Sequence, residues 1–175
     1  MIDLMILYIL LTHDLTMYSI QKRIQENFRA YTNPSFGALK PALVRLEKNG
    51  CITSSKMMSD GGKLSVFYSI TKDGEKNLRK LLLKPFSPNP LQFLSDARIK
   101  LSCLSFLDKD DKEEVFLDIK TNALLHKTNA ENTLSDEYTP QTFYQRMVLD
   151  NAVCEYKNFI VLVEGLEKEN ARNSK

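Results

Sequence analysis

The sequence predicts a mainly α-helical fold with one small β-hairpin, and three observations carry that prediction. Between Asn33 and Gly74 the chain runs in order through a capped helix, a strand, a Gly-Gly turn, a second strand and a new helix start. Three prolines, Pro85, Pro88 and Pro90, then break the chain within six residues. Everything beyond them repeats at helical spacing with no alternating run. This order predicts a winged helix-turn-helix domain over residues 1–84 and an α-helical C-terminal dimerisation domain over residues 85–175.

The first helix covers Asp3 to Thr12, apolar on nearly every side and therefore buried between the winged-helix core and the C-terminal half. Thr16 caps a second helix, with Met17, Ile20, Ile24 and Phe28 inward and Lys22, Arg23, Gln25, Glu26 and Arg29 outward. Asn33 caps the third, Pro34 suits its first position, and Phe36, Leu39, Leu43 and Leu46 form its buried face until Gly50 stops it. Ile52–Met57 and Leu64–Ile70 read as strands around Ser59-Asp60-Gly61-Gly62, whose glycines supply the positive φ of a tight hairpin. Thr71 caps a fourth helix to about Leu83. Further helices follow over 91–106, 110–134 and 140–169.

The net charge of +2 hides an asymmetry. Residues 1–84 hold 13 basic and 7 acidic side chains, and residues 85–175 hold 11 and 15. A basic half joined to an acidic one fits a nucleic-acid-binding module attached to a partner-binding module. Cys51, Cys103 and Cys154 are odd in number and widely spaced, without a CxxC pair or a nearby histidine, so a reducing cytoplasm is expected and no metal site is. The apolar run Leu4–Leu11 is too short to span a bilayer, and no membrane association is expected.

Enzyme chemistry finds no support. Neither His13 nor His126 stands beside a carboxylate or cysteine arrangement that suggests a triad or metal site, and the Gly61-Gly62 pair lacks the lysine and following helix of a phosphate loop. No cofactor is expected. If Leu39, Leu43 and Leu46 face inward, Gly37, Pro41, Val44 and Lys48 turn outward, with Lys40 and Arg45 on the flanks. These side chains, with Ser35 at the helix start and Lys56 and Lys63 beside the hairpin, are candidates for phosphate or base contacts with double-stranded DNA. Tyr18, Lys22 and Asn33 complete the candidate set. The competing reading is a winged helix that holds another protein through the same surface.

In the last helix Leu149, Val153, Tyr156, Ile160 and Val163 recur at heptad spacing, widened by Phe159, Leu162 and Leu166. The stripe either packs against the 110–134 helix or forms a homodimer interface, and the second is expected because a small helical appendage has few other surfaces to bury. Phe93, Phe106, Phe116, Tyr138, Phe143, Tyr144, Tyr156 and Phe159 either fill the core or line an apolar pocket for a small hydrophobic or aromatic effector.

The run Ser35-Phe36-Gly37-Ala38-Leu39-Lys40-Pro41-Ala42-Leu43-Val44-Arg45-Leu46-Glu47-Lys48-Asn49-Gly50, followed by Ile52 and by Tyr68-Ser69-Ile70-Thr71-Lys72-Asp73-Gly74, resembles the PadR-type transcriptional regulators. Their pattern is S-x-G-T-L-Y-P-x-L-x-R-L-E-x-x-G-L-I, then a wing ending in Y-x-L-T-x-x-G. The resemblance covers most of residues 4–83 and accounts for Pro41, an unusual residue inside a helix. It departs at Ala38 and Lys40, where the family has threonine and tyrosine, and at Thr16-Met17-Tyr18, where it has His-Gly-Tyr. The resemblance implies a dimeric repressor. It also implies a recognition helix over about 34–49 in the major groove, a wing over about 51–70 on the DNA backbone or minor groove, and, in some members, a small-molecule effector. The backbone contact of the family's tyrosine would pass to Lys40.

Overall fold

The computed structural model describes residues 1–58, 62 and 64–172. The chain divides into two compact units, Met1–Lys84 with Leu94–Phe106, and Pro85–Phe93 with Leu107–Lys175. The change of unit thus falls twice around the proline-rich segment, and most of the following helix joins the first unit.

In the first unit α1 (Ile2–Leu10) has Leu4, Met5, Ile6, Leu7, Ile9 and Leu10 all buried. It packs on α2 (Met17–Phe28), α3 (Phe36–Lys48), α4 (Lys72–Leu83) and the hairpin strand β3 (Leu64–Ile70). Thr16 caps α2 by accepting from the Ser19 amide at 3.2 Å, and Ile20, Ile24 and Phe28 are fully buried, as the sequence predicts. The antiparallel sheet has the order β1-β3-β2, with β2 spanning Ile52–Met58. Its register runs from Ile52 opposite Ile70 to Met58 opposite Leu64. The strand β1 (Leu15–Thr16) pairs with Tyr68 and Phe67 and has no counterpart in the sequence reading, because two residues are too few to show a period.

Two details of α3 differ from expectation. Its N-cap is Ser35, which makes no side-chain capping bond, and the helix begins at Phe36. Asn33 does not cap it: its side-chain oxygen is already taken by Gln25 Nε2 at 3.1 Å. Phe36 is also not part of the core. It lies at the exposed leading end, 42% accessible, while the buried face comprises Leu39, Ala42, Leu43 and Leu46.

The helix ends in two reciprocal backbone bonds, Gly50 N to Glu47 O at 2.9 Å and Cys51 N to Leu46 O at 2.9 Å, with Gly50 at φ 69°. That pairing is the Schellman motif, and it turns the chain into β2. At the other end of the hairpin Thr71 donates to Gly50 O at 2.6 Å and accepts from the Gly74 amide at 3.0 Å. A Cβ on Gly74 would lie 2.0 Å from the Cys51 carbonyl oxygen, so only glycine lets α4 start this close to the strand. Lys100, buried in α5 (Pro90–Ser102), donates through Nζ to the Lys84 carbonyl and ties the returning helix to the end of α4. A 3-10 turn, Leu104–Phe106, completes the unit.

In the second unit α6 (Lys109–Leu134), capped by Asp108 through the Asp111 amide, packs on α7 (Phe143–Arg172). The pairs Lys120–Glu167 at 2.6 Å and Lys157–Glu131 at 3.9 Å fix the two as antiparallel. Among the described residues no helix is long and apolar enough to cross a membrane.

Candidate nucleic-acid interface

With one face of α3 buried, the opposite face presents Phe36, Lys40, Val44 and Lys48 at intervals of four, with Gly37 and Pro41 beside them, all exposed. Neither Lys40 nor Lys48 forms an ion pair among the described residues. Arg45 is different. Its Nε and Nη2 donate to the two carboxylate oxygens of Asp3 at 3.2 and 2.5 Å, and that hydrogen bond, with the charge behind it, raises the guanidinium pKa. Arg45 therefore bridges α3 to α1, although half of its side chain stays accessible. Glu47 is likewise engaged, accepting from Ser54 Oγ at 2.5 Å and bracing α3 on β2.

The leading ends of α2 and α3 meet at the surface. Tyr18 and Phe36, both exposed, stack with ring centroids 6.4 Å apart and planes 18° from parallel. Gln21 Nε2 reaches the Pro34 carbonyl at 3.5 Å, so α2 sets the position of the segment that enters α3. Beside it, Lys22, Gln25, Glu26, Arg29 and Asn33 line an open polar groove of about 590 Å³. Lys22 and Asn33 of the candidate set are thus brought together with Arg29, which pattern alone had left as an outward charge. Lys56 is exposed on β2 opposite Val66. Lys63, Ser59, Asp60 and Gly61 lie outside the described residues, and Gly62 has the positive φ of 71° that the turn requires.

In the second unit the expected dimer residues fall mostly inside the chain. Val153, Tyr156 and Val163 are buried, Phe159 with them, and Leu149 and Ile160 are half-buried. The heptad stripe is therefore covered within the chain, since α6 and α7 pack together. What α7 leaves exposed is Phe143, Tyr144, Met147, Val148, Val161, Leu162 and Leu166, and α6 adds Leu117, Leu124 and Leu125. Of the aromatic residues considered for an effector pocket, Phe93, Phe116, Tyr156 and Phe159 are core, whereas Tyr138, Phe143 and Tyr144 lie at the surface.

Phe93 and Tyr156 flank His126, with ring centroids 5.1 and 5.6 Å away. His126 is buried, its Nε2 has no hydrogen-bond partner among the described residues, and burial lowers its pKa. Burial also pushes the Cys103 thiol up to about 12, which keeps it protonated and unreactive. No group of three or more potential ligands able to hold a metal ion occurs among the described residues.

Residues 6–80 match the model of the transcriptional regulator PadR-like family. A PadR family transcription regulator from hypervirulent Clostridium difficile R20291 is 31% identical, over 45% of this chain and 80% of its own, with a TM-score of 0.40. Residues 6–80 are a PadR-like family domain. That family is one of transcriptional regulators, not of enzymes. The chain is also similar to Bacillus subtilis PadR, whose structure is known in complex with operator DNA: identity is 20%, over 96% of this chain and 98% of that one, with a TM-score of 0.45. The same B. subtilis protein in complex with p-coumaric acid gives 19% identity over 97% and 98%, with a TM-score of 0.42. No curated protein matches the sequence.

Proposed function

We propose that this PadR-like regulator is a sequence-specific DNA-binding repressor that acts as a homodimer, with α3 in the major groove and the hairpin of β2 and β3 on the backbone or minor groove. The observation that carries the reading is the free face of α3. Its apolar side is used up by Leu39, Ala42, Leu43 and Leu46, and what remains outward is Lys40 and Lys48 with Phe36 at the leading end and Gly37, Pro41 and Val44 between them. Unpaired cations on a helix that can approach closely suit a groove lined by phosphates. Lys22 and Arg29 in the adjoining groove, where Glu26 offsets one of the two charges, and Lys56 on β2 extend the basic surface to either side, and Asn33 adds a polar contact.

The dimer rests on the apolar residues left exposed on α6 and α7, not on the heptad stripe. Repression rather than activation follows the family resemblance, and a cytoplasmic location follows from the unpaired cysteines. A small hydrophobic or aromatic effector belongs to the same reading. One that entered the aromatic core around Phe93, Tyr156 and Phe159 would shift melting temperature and operator affinity together.

Selection of genomic fragments with the purified protein tests the proposal. Recovery of a shared pseudo-palindromic sequence, bound by a species that sediments as a dimer, is the expected result. Failure to enrich any sequence, with the protein folded, would reject it.

A further inference from the structure

We infer that α3 recognises its operator chiefly through the 5-methyl groups of thymine, with Phe36 as the residue that sets this preference. The inference rests on the DNA-binding reading above and adds to it which chemical feature of the bases is read.

A recognition helix delivers its base contacts from its leading turns. Over those turns α3 exposes Phe36, Gly37, Ala38, Lys40, Pro41 and Val44. Lys40 is the one side chain among these six that carries a hydrogen-bonding group. Of the residues that read adenine or guanine by paired hydrogen bonds, asparagine, glutamine and arginine do not occur there, and lysine occurs once, as Lys40. The helix does own a guanidinium, at Arg45, but Asp3 holds it through both carboxylate oxygens.

What this face offers instead is apolar surface, with Phe36 42% and Val44 59% accessible. The thymine methyl is the apolar group that the major groove displays, and alanine and phenylalanine side chains are suited to meet it. Phe36 is held ready for that contact. Its ring stacks on Tyr18 rather than folding into the core, so little freedom is left to lose when a second apolar group covers it. Gly37, Ala38 and Pro41 are small enough for the helix axis to lie close to the base edges. Lys40, one turn on, then supplies a single polar contact in register with the apolar ones.

The test uses the selected operator fragment synthesised with deoxyuridine in place of thymine, which deletes the methyl and keeps the pairing edge and the backbone. Affinity is measured by fluorescence anisotropy at fixed salt for the full chain and for Phe36→Ser. Wild type is expected to lose about three- to tenfold at the critical thymine, the scale of one buried methyl group or somewhat more. Phe36→Ser should be comparably weakened on the thymine operator and indifferent to the replacement at that position. Unchanged wild-type affinity after replacement of every thymine would overturn the inference while leaving DNA binding intact. A Phe36→Ser protein as sensitive as wild type would remove Phe36 from the role. Absence of binding to any fragment would instead reject the underlying DNA-binding proposal.

Discussion

The helices α3 and α7 are both amphipathic, and they differ in what their second face carries. In α3 the buried side is narrow, and the opposite side sets Lys40 and Lys48 among Phe36, Gly37, Pro41 and Val44. In α7 Val153, Tyr156, Phe159 and Val163 are buried, yet Val161, Leu162 and Leu166 remain outside. Along α3 three basic residues stand against one acidic, whereas along α7 four stand against five. A polyanion would be drawn to the first surface and not to the second. The uncovered apolar residues of α7 call for another protein surface, and the one-sided wealth of α3 in lysine calls for phosphate. Burying one face of a helix therefore leaves its function to the chemistry of the other.

The largest test of this contrast lies in α7. Val163→Asp places an unpaired charge at a fully buried position and should destabilise the second unit by more than about 4 kcal/mol, seen as a collapse of its thermal transition. The double change Val161→Asp with Leu162→Asp should leave folding nearly intact and convert the proposed dimer to monomer in sedimentation. A dimer unchanged by that pair would move the interface elsewhere.

A smaller effect belongs to the scaffold behind α3. Gly74→Ala should destabilise by about 1–3 kcal/mol through overpacking against the Cys51 carbonyl, measured by denaturant unfolding, without altering the DNA affinity of the folded fraction. Lys40→Ala should do the reverse: stability within about 0.5 kcal/mol of wild type and operator affinity lower by about 1–3 kcal/mol if Lys40 meets a base. Weakened folding with unchanged binding would place Lys40 in the scaffold instead.

The smallest effect is that of His126. Its folded-state pKa is lowered by burial, so the unfolded chain takes up the proton first, and the stability it confers is present above about pH 6.5 and declines as pH falls below that value. His126→Phe should flatten this acid-side decline in melting temperature. An unchanged profile would assign the decline to other groups.

How much was legible in the sequence follows the same division. The winged-helix order, the buried side of α2 at Ile20, Ile24 and Phe28, that of α3 at Leu39, Leu43 and Leu46, the hairpin strands and the α4 cap could all be read, because local spacing and turn chemistry determine them. Periodicity could show that the stripe of α7 is covered but not by which surface, since α6 from the same chain and a second copy offer similar apolar faces. Phe36 departs from its spacing for a related reason: its distance from Leu39 and Leu43 suits the core, but it stands at the first residue of the helix and stacks on Tyr18 instead. The ion pair of Arg45 with Asp3, 42 residues apart in sequence, had no local signal at all.

The central claim is that the free face of α3 binds DNA through its lysines, and the salt dependence of operator binding tests it most directly. A phosphate contact releases counterions, so the logarithm of the binding constant should fall linearly with the logarithm of salt concentration, and the slope should shrink by about one for each phosphate-contacting lysine removed. Wild type should show a steep slope, and Lys48→Ala and Lys40→Ala with Lys48→Ala should flatten it stepwise. Binding that is insensitive to salt, or a slope unchanged in the double variant, would contradict the account.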